Sequence, residues 1–231
     1  MTPNTGSKAL FSLVVSGVLL FALISVEYLR HRGEAVQAAA GSSVRRMSTA
    51  PPVLIADFEQ GHPASPWGSW KAIDDRGVSG ISTSEIAVVD QGADSTGHAL
   101  RIWGSSEIWY FPFPFAGVAA PLGKLEFGTP VPRDVSGYTG LEFWARGDDH
   151  DYMVSVVSDE VTDWNHHHAV FRLPKAWTHY QIPFSDLRQF SWGKQLPWTG
   201  HQVSQLHFVT YSGAGKAPGK FEFWLDQVRL Y

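Results

Sequence analysis

The sequence predicts an all-β domain, a jelly-roll β-sandwich, preceded by one N-terminal transmembrane helix. Three observations predict it. From Val53 onward the chain reads as short runs of β-branched and aromatic residues bounded by Gly, Pro, Asp or Ser. The 22 Gly and 14 Pro supply the many turns that short strands need. The run "ALFSLVVSGVLLFALISV", from Ala9 to Val26, carries no charge and approaches the ~20 apolar residues that span a bilayer.

In chain order, residues 1–8 form a short tail and 9–29 the anchor helix. A cleaved signal peptide is the competing reading of that run. The only A-x-A-like site, in "AVQAAAG", lies well past the apolar run and beyond Glu27, Arg30 and Arg32, which favours an uncleaved anchor. The short N-terminal tail favours an outward-facing, extracytoplasmic domain, although Arg30 and Arg32 pull the other way. Residues 30–52 read as a tether, small, polar and closed by two prolines. The sandwich then occupies 53–231. Strands are expected over 53–59, 69–73, 83–89, 98–103, 123–127, 139–146, 151–158, 166–173, 178–183, 204–211 and 221–230. A domain of this size buries roughly 70% of its unfolded surface, so neither a disulfide nor a metal is required for folding.

Composition excludes several functions. The net charge of −4 without a basic cluster argues against nucleic acid. The absence of cysteine removes disulfides and thiolate chemistry. Neither H-E-x-x-H nor G-x-S-x-G occurs. "GAGKAPGK" at 213–220 mimics a phosphate loop, but Ala214 and Phe221 stand where that motif needs Gly and Ser or Thr; it reads as a hairpin loop. Carboxylates such as Glu107, Glu142, Asp159, Glu160 and Asp163 are present, yet no motif pairs two of them for glycoside hydrolysis. The domain is therefore expected to be non-catalytic.

Binding chemistry is easier to read. In "YTGLEFWARGD" Leu141, Phe143 and Ala145 alternate with Glu142, Trp144 and Arg146, so one row fills a core and the other lies on an outer sheet face. The chain has ten Trp, more than a core of this size needs. Trp109, Tyr110, Trp144, Trp192, Trp198 and Tyr211 fall outside the expected core rows. Flat aromatic rings stack on the C–H faces of sugars. "TDWNHHH" at 162–168 adds Asp163, His166 and His168, which suit sugar hydroxyls better than a metal, because no further ligand spacing completes a zinc site. The expected binding set is Trp144, Arg146, Asp163, His166, His168, Trp192, Trp198 and Tyr211.

The segments "ADFEQG", "WGSW", "GHALRI", "YTGLEFWARGD", "YQIPFSDL", "LHFVTYSG" and "FEFWLDQVRL", in this order, resemble two related families over about residues 54–231. These are the family 11 carbohydrate-binding modules and the domain of complex I intermediate-associated protein 30, both galactose-binding-like sandwiches. The first resemblance implies β-glucan binding on a concave face. Asp163 and His166 match that site, Trp192 and Tyr211 match approximately, and Arg188 only loosely. It also implies a structural Ca²⁺ held by Asp57 or Glu59 with Asp226, completed by carbonyls near Gly92 to Gly97; no other cofactor is expected. The second resemblance implies a scaffold or assembly subunit of a membrane protein complex. The expected partners are the bilayer through 9–29, and a polysaccharide or a membrane protein complex.

Overall fold

Strict alternation along one segment sets the architecture. In strand β10 (Gly140–Arg146), Leu141, Phe143 and Ala145 are buried while Glu142, Trp144 and Arg146 are partly exposed. A strand of this kind needs a second layer over its apolar row. The computed structural model of the protein describes residues 48–109, 113–212 and 219–231 and supplies that layer. The expected anchor over 9–29 and the tether as far as residue 47 lie outside the described residues. Among the described residues no helix is long and apolar enough to cross a membrane.

The remaining strands are β1 (Val53–Ala56), β2 (Ala64–Ser65), β3 (Gly68–Ser69), β4 (Lys71–Asp74), β5 (Thr83–Asp90), β6 (His98–Ser106), β7 (Ala116–Pro121), β8 (Leu125–Glu126), β9 (Thr129–Pro130), β11 (Asp151–Ser158), β12 (His167–Arg172), β13 (Thr178–Pro183), β14 (Val203–Thr210) and β15 (Gly219–Leu230). A six-stranded sheet runs β13-β10-β15-β6-β5, with β1 also paired to β15. A five-stranded sheet runs β12-β11-β14-β7-β4. All pairings are antiparallel.

Aromatic rings join the two layers. Phe143 meets Phe208 of the opposite sheet edge-on at 5.2 Å and stacks on Tyr180 at 5.3 Å. Phe208 in turn stacks on Trp70 at 6.2 Å, and Trp70 meets Phe58 at 5.1 Å. Phe143, Phe208, Trp70 and Phe58 are at most 2% exposed, so each buries a side chain worth ~1.5–3 kcal/mol in transfer terms.

Three expectations need correction. β7 was not anticipated, because "AGVAAP" lacks bulky β-branched alternation; all six residues are buried between β14 and β4. Its small residues answer a steric demand, since a Cβ at Gly117 would stand 2.0 Å from the Phe208 carbonyl oxygen. The expected strand at 123–127 is only β8, one arm of a two-residue-loop hairpin. Its loop residues Phe127 and Gly128 both have positive φ, 49° and 85°, as the turn between tightly paired strands requires. Finally, of the expected hairpin loop at 213–220, residues 213–218 lie outside those described and Gly219 and Lys220 open β15; the flanking strands β14 and β15 belong to different sheets and do not form a hairpin. Gly117→Ala should lower stability by about 1–3 kcal/mol through overpacking, measured by urea unfolding.

Candidate functional site

The outer face of the five-stranded sheet is built in rows. One row crosses it through His168 (β12), Ser155 (β11), His207 (β14), Ala119 (β7) and Lys71 (β4). The adjacent row is Val170, Met153, Val209, Gly117 and Ile73. Small residues at 117, 119 and 155 keep this floor low, and Ala119, Ser155 and Val209 are each at most 8% exposed.

Two loops wall one side. Asn165 is fully buried and staples them together. Its amide nitrogen donates to the Phe190 and Trp192 carbonyls, and its Oδ1 accepts from the Phe190 amide at 2.8 Å. Asp163 accepts from the Lys194 amide at 2.6 Å and the Asn165 amide at 3.2 Å. Gly193, at φ 74°, lies under Asp163; a Cβ there would come within 2.4 Å of its carboxylate, so only glycine fits. The stapled loop stacks Phe190 on His168 at 4.1 Å and Trp192 on Phe190 at 6.2 Å. Trp192 is the outermost ring of this stack and partly exposed. Beside it Trp164 is 80% exposed and held at φ 68°, a conformation that costs a bulky residue of order 1–3 kcal/mol.

The charge states suit hydroxyl recognition. The Lys194 amide holds the Asp163 carboxyl below the usual range, so it is an ionised acceptor at neutral pH. Desolvation lowers the His166 pKa, opposed by the Asp163 charge. The His166 Nδ1 is buried without a hydrogen-bond partner. Desolvation also pushes His207 down to about 4, with the His166 charge adding. Both imidazoles are therefore neutral at pH 7, and each offers one donor and one acceptor.

The expected binding set divides. Asp163, His166, His168 and Trp192 converge at this edge. Tyr211 follows β14 on the same face, four residues beyond His207 or ~13 Å along the strand. Trp198 stands apart from this edge: it packs on Phe184 at 4.9 Å and His167 at 5.4 Å and is partly buried against the core. Trp144 and Arg146 lie on the outer face of the six-stranded sheet, on the opposite side of the molecule. Arg188 bridges to His168 by main-chain bonds of 2.8 and 2.9 Å and turns its guanidinium onto the Ser185 and Leu187 carbonyls. Tyr110 lies outside the described residues. Sequence reasoning missed Asn165, Trp164, Phe190 and His207. The Asp-x-Asn pattern at 163–165 signals an Asx turn, but the carbonyls Asn165 reaches are 25 and 27 residues away.

The expected Ca²⁺ ligands are otherwise engaged. Asp226 accepts from the Ala93 amide at 2.8 Å, the Thr96 hydroxyl at 2.5 Å and the Gln227 amide at 2.7 Å. Glu59 accepts from the Gly97 and His98 amides at 3.1 and 2.8 Å, while Asp57 turns to the Glu59 amide at 3.3 Å. Desolvation raises the Asp226 pKa. Among the described residues no three metal-ligating side chains gather. The set as arranged locks the 91–98 loop by hydrogen bonds, with the Thr96 hydroxyl, the His98 carbonyl and Asp226 gathered around Gly92.

The depressed His207 pKa carries a pH signature. The unfolded chain binds this proton near pH 6.5 and the folded one only near 4, so stability is full above pH 6.5 and is lost as pH falls toward 4. His207→Asn should flatten the decline in Tm between pH 6.5 and 4, measured by circular dichroism.

Comparison with known proteins completes the picture. A family 11 carbohydrate-binding module of the cellulase Lic26A-Cel5E from Clostridium thermocellum superposes with a TM-score of 0.56 at 16% identity, covering 79% of this chain and 95% of the module. The Clostridium thermocellum family 11 module in complex with a β-1,3-1,4-mixed-linked tetrasaccharide gives 0.53 at 17% identity, covering 78% and 94%. These establish the sandwich fold. Endoglucanase 3 of Fibrobacter succinogenes (strain ATCC 19169 / S85) is 25% identical over 175 residues, 71% of this chain. The chain spans only 25% of that enzyme's length. The family model for complex I intermediate-associated protein 30 (CIA30) matches residues 56–225, and the chain therefore belongs to that family.

Proposed function

We propose that the domain is a non-catalytic module binding a β-glucan-like carbohydrate chain on the outer face of the five-stranded sheet. One observation carries this reading: an ionised carboxylate and two neutral imidazoles stand beside the ring stack His168–Phe190–Trp192 and the exposed Trp164. Sugar rings present apolar faces to stack and hydroxyls that both donate and accept, and this edge supplies both partners. The low floor of Ser155, Ala119 and Gly117 lets a chain run across the sheet toward Tyr211. The likeness to family 11 modules supports the reading. The apolar run at 9–26 would tether the module to a membrane, with the domain on the extracytoplasmic side.

Membership of the CIA30 family favours a second reading, an accessory role in a membrane protein complex. It is supported by the Trp and Arg residues gathered on the other sheet, residue types enriched at protein interfaces.

Affinity gel electrophoresis in mixed-linkage β-glucan tests the first reading. Trp164→Ala and Trp192→Ala should each weaken retention about tenfold, on the scale of ~1–3 kcal/mol per stacked ring, with Tm nearly unchanged. Asn165→Ala should weaken retention through loosening of the 189–196 loop and also lower Tm. Wild-type migration unaffected by glucan would refute the reading.

A further inference from the structure

The six-stranded sheet carries a second aromatic surface, on the face opposite the candidate glycan site. Cross-strand register places Arg101 (β6), Trp224 (β15) and Arg146 (β10) in one row. The Arg101 guanidinium lies 4.7 Å from the Trp103 ring centroid and 6.0 Å from that of Trp224. The Arg146 guanidinium lies 4.4 Å from Trp224 and 5.1 Å from Trp177. The result is a ladder of three indoles and two guanidiniums standing side by side, all partly exposed.

The ladder is a poor sugar platform. Trp224 carries the Arg101 and Arg146 guanidiniums over its ring, at 6.0 and 4.4 Å, so cations compete for the surface a sugar would stack on. Sugar stacking needs the face. Guanidinium–indole layers with a rigid planar outline are instead the chemistry of protein interface hot spots.

The charge balance identifies what docks. Arg101 donates to Glu222 at 2.6 Å and is neutralised there. Arg229 lies 4.0 Å from Glu142. Arg146 has no hydrogen-bond or ion-pair partner among the described residues, and its Nε is buried and unpaired. A guanidinium whose orientation is fixed by two rings, with its donors unused, is preorganised for a carboxylate.

We propose that the outer face of the six-stranded sheet is a protein-docking surface, on which Arg146, held between Trp177 and Trp224, receives an acidic side chain of a partner protein. The proposal deepens the accessory reading and rests on it; it is independent of glycan binding on the other sheet.

The test uses the full chain in detergent micelles with ¹⁵N-labelled indoles. The probes are two acetylated, amidated peptide pools of extended sequence, identical except for a central Glu in one and Gln in the other. The Glu pool should shift the indole N–H signals of Trp177 and Trp224, leave that of Trp192 in place, and bind about tenfold more weakly to Arg146→Gln and to Arg146→Lys, which keeps the charge but not the planar fork. Arg101→Gln, whose charge is already paired, should retain the response. An equal response to the Gln pool, an undiminished response in Arg146→Gln, or no shift at millimolar peptide would overturn the proposal. So would shifts produced by oligogalacturonate and not by peptide. The accessory reading has its own readout, stoichiometric recovery of the wild-type chain with a membrane complex, so a failed peptide response beside a recovered complex removes the docking site alone.

Discussion

The structure depends on the contact between Phe143 and Phe208 across the two sheets. Each belongs to a strand whose alternate residues point the other way, so fixing this pair fixes the orientation of both outer faces. A slip of one residue in β10 would bring Trp144 and Arg146 inward and turn Phe143 out to solvent. A slip in β14 would carry His207 into the apolar layer between the sheets. The surfaces that carry chemistry are thus by-products of where two phenyl rings are sealed. The same parity explains why the expected binding residues parted: alternation reveals that a residue faces outward, but not from which of two sheets.

Much of the fold was legible because it is local. Alternation along 140–146 and 221–230 marks strands with one buried face, and the observed β10 and β15 follow those patterns closely, while β11 is found where expected but is buried on both faces from Val154 to Ser158. β7 escaped because it is buried on both sides and built of small residues. Its sequence reflects close approach to Phe208 rather than any intrinsic strand preference. At the site, the chemistry-bearing cluster at 162–168 stood out by residue type, whereas the staple by Asn165 did not. Its partners lie in a loop distant in sequence, and nothing in either segment alone indicates the pairing.

The two outer faces differ in what their aromatics are free to do. On the five-stranded sheet the rings stack on one another, ending in a partly exposed Trp192, beside polar groups whose protonation keeps them acceptors and donors at once. On the six-stranded sheet the rings are interleaved with cations. On the two proposals made above, one sheet face would take a glycan and the other a protein, so the likeness to carbohydrate-binding modules and membership of the CIA30 family need not compete for one surface.

The twelve-residue β15 lies at the centre of the larger sheet, with β10 along one edge and β6 and then β1 along the other. None of those three neighbours can complete its pairing without residues 219–230. The five-stranded sheet, whose last member ends at Thr210, has no such dependence. Without β15 the larger sheet is two separate hairpin-like halves, β5–β6 and β13–β10, so a lesion in 219–230 would uncover the inner face of the smaller sheet at a stroke.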